Sequence, residues 1–324
     1  MAKLIQMRQR IKAIETIKKV THAMRLISMS MHSRLRGRMP LLKNYNNHVA
    51  KLFNKLRHLS PHWKSPVTHP EGPKDSNPLF ILIGSQKGLC GTFNTGLLKE
   101  FEQIMPEAMM KQTFFISVGK KAVDYLEKKD IKGTIKTFSE LTMRNFPAVS
   151  NEIVDLIVNA KTPYTCVKVL SNELKTFFLQ NPRTVQIIPL DNDDIPPLEK
   201  EPKADASPDS TAEALDETQE ESQEAKEQND LKSSNDTDID FNEDYVWYQK
   251  PDDLLDKMAP QYIASHINTL LMESLLAEQA ARFLSMDTAT RNAKNLLEET
   301  TLQYNKLRQA KITKELTELA TNFD

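Results

Sequence analysis

Residues 261–324 read QYIASHINTLLMESLLAEQAARFLSMDTATRNAKNLLEETTLQYNKLRQAKITKELTELATNFD, 64 residues without a glycine or a proline. The last proline of the chain is Pro260 and the last glycine is Gly133. Nothing in this stretch obliges a helix to stop. At about 1.5 Å per residue, one unbroken helix would be roughly 95 Å long, more than a compact domain needs. The opposite end of the chain reads alike. Residues 3–39 lack proline, contain only Gly37, and repeat apolar side chains at Leu4, Met7, Ile11, Ile14, Ile17, Val20, Met24, Ile27, Met31 and Leu35. The mean spacing, about 3.4, is close to the 3.5 repeat of a left-handed coiled coil. Gly37 and Pro40 are expected to kink or end this helix, with helical spacing resuming to Leu59. Two long helices at the two ends predict a paired shaft with a domain inserted between its arms.

The inserted part changes period. Prolines at 61, 66, 70, 73 and 78 mark residues 60–78 as a linker. Apolar runs at 79–83, 113–118, 134–138, 164–170 and 184–189 read as strands. Helical patterns at 95–110, 120–129 and 147–159 lie between them. Strands alternating with helices predict a layered α/β domain over 79–190 with a mostly parallel sheet. Residues 191–244 break the pattern, carrying 20 acids against 4 Lys. A segment so poor in apolar residues reads as a solvated, disordered insertion. Order is expected to return at Tyr245, Val246, Trp247 and Tyr248, so that 245–324 holds a foot segment and the last helix, with a brief break at Pro260.

The net charge of −1 hides this partition. Residues 1–64 hold 8 Lys and 7 Arg against the single acid Glu15. The arm implies an acidic partner surface. Its apolar seam argues against an exposed nucleic-acid helix, which needs none. No run has the length of a membrane span, and the two cysteines, Cys90 and Cys166, give neither a disulfide framework nor metal-ligand spacing.

The motif closest to enzyme chemistry is residues 84–91, GSQKGLCG, after a strand and before a helix. That placement suits a phosphate cradle. The spacing fits neither the P-loop nor the dinucleotide fingerprint, so the motif reads as a glycine-assisted turn. Cys90 has no histidine and acid arranged in sequence to activate it and reads as an inert, buried thiol.

Three segments carry a family resemblance. Arg10-Ile11-Lys12-Ala13-Ile14 with residues 16–24 (TIKKVTHAM), residues 280–293 (AARFLSMDTATRNA) continued by 302–316 (LQYNKLRQAKITKEL), and residues 88–94 (GLCGTFN) are similar to motifs of the gamma subunit of F-type ATP synthases. The resemblance covers both arms and the α/β domain, in order. It implies an antiparallel, left-handed coiled coil of the terminal helices beside a Rossmann-like α/β domain without a nucleotide site. It implies a non-catalytic rotor shaft, turned by a proton- or sodium-driven ring of c subunits, that cycles a hexamer of alpha and beta subunits through nucleotide affinities. It also implies one copy per complex, an epsilon subunit beside the foot, no cofactor, no metal and no nucleic acid. Membrane contact would be indirect, through the ring. By the resemblance, Met24, Arg282, Arg308, Gln309, Thr313 and Glu315 take coupling contacts with the hexamer, and none is catalytic. The match begins near Met1, leaving no room for a presequence. The expected location is therefore the cytoplasmic face of a bacterial inner membrane, with an organellar inner membrane as the alternative. Departures from the family pattern are Gln86 and Lys87 in the turn, Thr92, His22, the foot around Pro251 and the acidic insertion. They leave two other readings open: a coiled-coil adaptor that reuses the fold, and a nucleotide-using α/β enzyme.

Overall fold

In a computed structural model, residues 2–65, 68–70, 77–131, 133–160, 162–190 and 250–321 are described. The acidic insertion and the aromatic residues at 245–248 lie outside them. Two helices dominate: α1 (Ala2–Leu59) and, at the other end of the chain, α6 (Pro251–Thr321). Between them come β1 (Pro78–Ile83), α2 (Phe93–Ile104), α3 (Glu107–Met110), β2 (Phe114–Val118), α4 (Lys120–Lys128), β3 (Thr134–Phe138), α5 (Phe146–Val158), β4 (Cys166–Thr176) and β5 (Leu179–Ile188).

α1 and α6 run antiparallel. Cross-helix contacts join Arg8 to Tyr304, Thr21 to Thr290, Arg25 to Asp287, Lys43 to Glu273, Asn46 to Ser265 and Phe53 to Tyr262. As the number on α1 rises, its partner on α6 falls nearly in step. Covered positions of α1 at 4, 7, 11, 14, 18, 21, 25, 28, 32, 35, 39 and 42 alternate steps of three and four, with Met24 and Met31 half-covered beside them. On α6 the matching seam is 286, 290, 293, 297, 300, 304, 307 and 311. A seam with a 3.5-residue repeat keeps facing its partner only if the helices supercoil left-handedly.

This seam corrects the simple apolar reading. It coincides with that reading from Leu4 to Ile14, lies one position away from it between Ile17 and Met31, where Met24 and Met31 are still half-covered, and rejoins it at Leu35. Lys18, Thr21, Arg25, Ser28 and His32 take the seam, while Ile17, Val20 and Ile27 are 54%, 52% and 62% exposed. Gly37 and Pro40 do not end α1, and Pro260 does not break α6. A proline inside a helix costs about 3 kcal/mol through a lost hydrogen bond and a clash with the carbonyl four residues back. Here buried side chains flank each one: Leu35 and Met39 before Pro40, and Leu255, Ala259, Tyr262 and Ile263 around Pro260. Tertiary packing on that scale outweighs the local penalty.

The sheet has the order β3-β2-β1-β4-β5, parallel throughout except for β5, which pairs antiparallel with β4. Leu79, Ile81 and Ile83 of β1 face one core with α5 and the shaft residues Leu35, Met39, Ile263, Ile267 and Leu271. Phe80 and Leu82 face the other, with Leu97 and Phe101 of α2 and Ala122 and Leu126 of α4. The fold is α/β, and the shaft itself serves as part of one covering layer. Two expected boundaries shift. Pro106 divides the expected 95–110 helix into α2 and α3. The last two strands are longer than expected and form a hairpin at Phe177 and Phe178, because β5 tolerates Pro182 at the sheet edge.

At the lower end of the shaft, Phe53 stacks on Tyr262 with ring centres 4.7 Å apart. Trp63, from the start of the proline-rich segment, donates its indole N–H to Asp256 at 3.0 Å. Ser65 and Thr68 are buried, so this part of the linker is packed against the structure. His266 lies against Tyr262, and burial lowers its pKa from 6.5 to about 4. The folded state therefore holds it neutral, whereas the unfolded chain protonates it near pH 6.5. Its contribution to stability is present above that value and is lost as pH falls toward 4, about 3 kcal/mol in all. His32, lowered first by burial and then by Arg36, acts in the same direction. Urea unfolding between pH 7 and 4 should show this decline, and His266→Leu should flatten most of it.

Candidate functional site

Two regions carry the sequence-predicted residues: the glycine turn and the upper part of the shaft. The turn sits at the C-terminal ends of β1 and β2, where parallel α/β sheets bind ligands. Gly84 donates its N–H to Val118 O at 2.8 Å, bringing the two strand ends together. Gly119, with φ of 88°, lies so close that an added Cβ would be 2.2 Å from Gly84 O, so only glycine fits. Gly91 and Leu89 also have positive φ, 57° and 64°.

The turn's polar groups are engaged from within the chain. Ser85 donates its N–H to Asn94 Oδ1 at 3.1 Å, and Asn94 returns a bond from Nδ2 to Ser85 Oγ at 2.8 Å. Gln86 donates its N–H to Glu278 Oε2 at 3.4 Å. Arg282 donates from Nη2 to Lys87 O at 3.1 Å and from Nε to Gly88 O at 3.4 Å. It also donates to Glu278 one helical turn earlier. Both side chains are nearly buried, at 8% and 6% exposure. Between them, Ala277 and Ala281 leave room for Cys90 and Phe93 to pack directly on α6. A carboxylate thus stands at a loop amide where a phosphate would need to stand. Burial pushes the Cys90 thiol above its usual range, keeping it protonated and a poor nucleophile. No group of metal-ligating side chains occurs among the described residues.

The upper shaft has different chemistry. Arg25 of α1 donates to Asp287 of α6 at 2.7 Å, and Arg291 reaches the same carboxylate at 2.5 Å. The hydrogen bond from Arg25, with help from Arg291, holds Asp287 below the usual carboxylate range. At and beyond this level apolar side chains remain in the open: Ile5, Ile17, Val20, Leu26 and Ile27 on α1, and Leu296, Leu302, Ile312 and Leu316 on α6.

The whole chain from residue 3 to 324 matches the family model described as ATP synthase. The ATP synthase gamma chain of Salinibacter ruber is 29% identical over 100% of this chain and 98% of its own length. That of Prochlorococcus marinus strain AS9601 is 29% identical over 98% of each. Among solved structures, a chain of the Euglena gracilis mitochondrial ATP synthase rotor has the same fold, with a TM-score of 0.58 at 14% identity, covering 96% of this chain and 99% of that one. A Tetrahymena thermophila central-stalk chain gives 0.54 at 18% identity, covering 83% and 99%. The chain belongs to the ATP synthase gamma-chain family.

In this gamma-family chain the six predicted residues do not form one site. Arg282 lies inside, against the glycine turn. Met24 is half-buried beside the seam at the level of Asp287. Arg308, Gln309, Thr313 and Glu315 are exposed about 30 Å further along α6, counting about 20 residues of helix. Thr313 turns its hydroxyl back to Gln309 O at 3.1 Å, and Glu315 pairs with Lys311 at 3.2 Å. Glu278, which shares the turn with Arg282, was not among the sequence-derived candidates. Its four-residue spacing from Arg282, in a stretch otherwise filled with alanine and leucine, was the available signal. Arg282→Met should leave Glu278 buried without its partner and cost about 3 kcal/mol in urea unfolding. Amide exchange at Gln86 should quicken in the same variant, and adding Glu278→Gln should recover part of the loss.

Proposed function

We propose that the chain is the central shaft of a rotary ATP synthase, transmitting rotation of a membrane ring to a catalytic alpha/beta hexamer. The observation that carries this reading is the mismatch on the upper shaft. Beside a seam that already holds Leu4, Met7, Ile11, Ile14, Leu297 and Leu307, further apolar side chains such as Ile5, Ile17, Val20 and Leu302 stand outside it, and they stay in water unless a sleeve of other subunits surrounds the helix pair. The fold and family membership agree with it, as do the fifteen cations of residues 1–64 set against one acid. An acidic lining is the natural counterpart for that arm.

In this role the chain carries no chemistry of its own. Its glycine turn is held by Glu278 and Arg282, and the nucleotide sites belong to the hexamer. Coupling is a linkage between shaft angle and nucleotide affinity, so each subunit must meet a different face of the shaft in turn. The apolar flanks act as a bearing. Met24, Arg308, Gln309, Thr313 and Glu315 make the directional contacts, while Arg282 fixes the α/β domain to the shaft so that torque passes between them. No helix of the described residues is long and apolar enough to cross a membrane. Attachment to the membrane therefore runs through the ring of c subunits, with an epsilon subunit beside the foot. The corresponding location is the cytoplasmic face of a bacterial inner membrane.

In a purified, reconstituted complex, Arg308→Ala or Gln309→Ala should lower both ATP synthesis and hydrolysis by about tenfold, the size of one lost charge-assisted hydrogen bond. Far-ultraviolet circular dichroism of the variants should be unchanged. Normal coupling in both would remove these residues from the coupling surface. Measurable nucleotide affinity of the isolated chain would contradict the reading of the glycine turn.

A further inference from the structure

The sheet ends on one side at β3. The inner edge of β3 is used: Phe115 donates its N–H to Gly133 O at 2.9 Å, and Gly119 donates its N–H to Phe138 O at 2.7 Å. Backbone groups alternate sides along a strand, so with Phe138 turned inward those of Thr137 point away from the sheet, while the register shift against β2 between Phe115 and Ile116 places Ile135 in a bulge. The edge strand at the other end, β5, carries Pro182 and lacks that donor.

A groove lies on each face of β3. On the α4 side, Val123, Leu126, Glu127 and Asp130 border a space of about 510 Å³. On the α5 side, Phe114, Glu152, Asp155, Leu156 and Tyr164 border one of about 650 Å³. Ile135 borders both, and it and Phe114 are large apolar side chains left substantially in water. A strand added to β3 would send alternate side chains into the two grooves. Each groove carries two acids. Lys136, the single cation among the described lining residues, is held by Glu152 at 2.6 Å. No described residue forms an ion pair with Glu127, Asp130 or Asp155.

We propose that β3 is a docking edge for an extended basic segment of a partner protein, which joins the sheet as a sixth strand. Its apolar side chains cover Ile135 and Phe114, and its lysines or arginines meet Glu127, Asp130 and Asp155. Charge selects this occupant over two others. Residues 191–244, with 20 acids, would be repelled from both grooves. A second copy of β3 would bring the same acids face to face.

The test uses the full-length chain and a fluorescent, acetylated octapeptide of alternating lysine and valine. Saturable binding is expected, weakened by salt, with amide exchange at Thr137 slowed about tenfold or more. Thr137→Pro removes an outward donor without touching the bonds to β2, and should weaken binding about tenfold at unchanged Tm. The double change Asp130→Lys and Asp155→Lys should do the same through charge, which keeps the idea testable if the proline variant misfolds. Unaltered exchange at the Thr137 amide, or equal binding of a glutamate–valine octapeptide, would overturn the proposal. So would protection of the same amide by a concentration-dependent dimer, or protection already present in the peptide-free chain and lost on deleting residues 200–236.

Discussion

The lateral packing of α1 on α6 is the constraint on which everything else depends. Neither helix has a domain of its own around it over most of its upper length, and long isolated helices fray in water. Each is stable because the other covers its seam. The chain enters along one helix and leaves along the other, so the α/β domain has to be built between two points that the pairing holds fixed. The lower seam also serves as core for that domain: Leu35, Met39, Ile263, Ile267 and Leu271 belong to the same cluster as β1 and α5. Shaft and domain thus share one hydrophobic core. This is also why Pro40 and Pro260 are harmless, since each sits where buried neighbours hold both halves of its helix in line.

Much of this was legible in the sequence, and the failures have physical causes. The glycine- and proline-free tail announced α6, and the switch from a long-period to a short-period apolar pattern located the sheet. Counting apolar residues alone misplaced the upper seam, because Ile17, Val20 and Ile27 mimic a repeat one position away from the true one. A strict three–four alternation from Leu4 leads instead through Lys18, Thr21, Arg25 and Ser28. It would have been found by following the period and ignoring the residue type. Strands expected at 164–170 and 184–189 fall short of the β4–β5 hairpin, which runs on through Asn181 and Pro182. They lie in an edge strand, where a missing donor costs little. The partnership of Glu278 and Arg282 with a loop nearly 200 residues earlier has no local signature. Family resemblance gives Arg282 a coupling contact with the hexamer, and within this chain its side chain bonds Lys87 O, Gly88 O and Glu278.

The glycine turn illustrates how a fold can keep a ligand-binding geometry and lose the ligand. Parallel strands end there, two glycines let the backbones cross, and a helix begins just beyond, all features of a phosphate site. In this chain the crevice is filled from the outside by α6. Ala277 and Ala281 are small enough to let the helix approach, and Glu278 and Arg282 take up the turn's donor and carbonyls. A buried pair of opposite charges contributes little net stability by itself, because desolvation offsets the attraction. Its value lies in specificity, since only one rotational and axial setting of the domain on the shaft satisfies all of these groups. A torque-bearing joint requires that kind of register.

The upper shaft follows the opposite logic. Its seam mixes apolar residues with groups that remain content in water, namely Lys18, Thr21, Arg25 and Thr290, while Ile5, Ile17, Val20 and Leu302 stand outside it. In isolation this arrangement is weaker than a coiled coil with the apolar residues inside. The deficit is recovered only when something apolar encloses the pair, because binding to the folded state alone stabilises it by mass action. Stability of the tip is thereby tied to assembly. The exposed apolar side chains have no fixed hydrogen bonds to break as the shaft turns. An interior-out distribution of this kind has no use in a free protein, and it is the pattern expected of an axle whose outer face is its working surface.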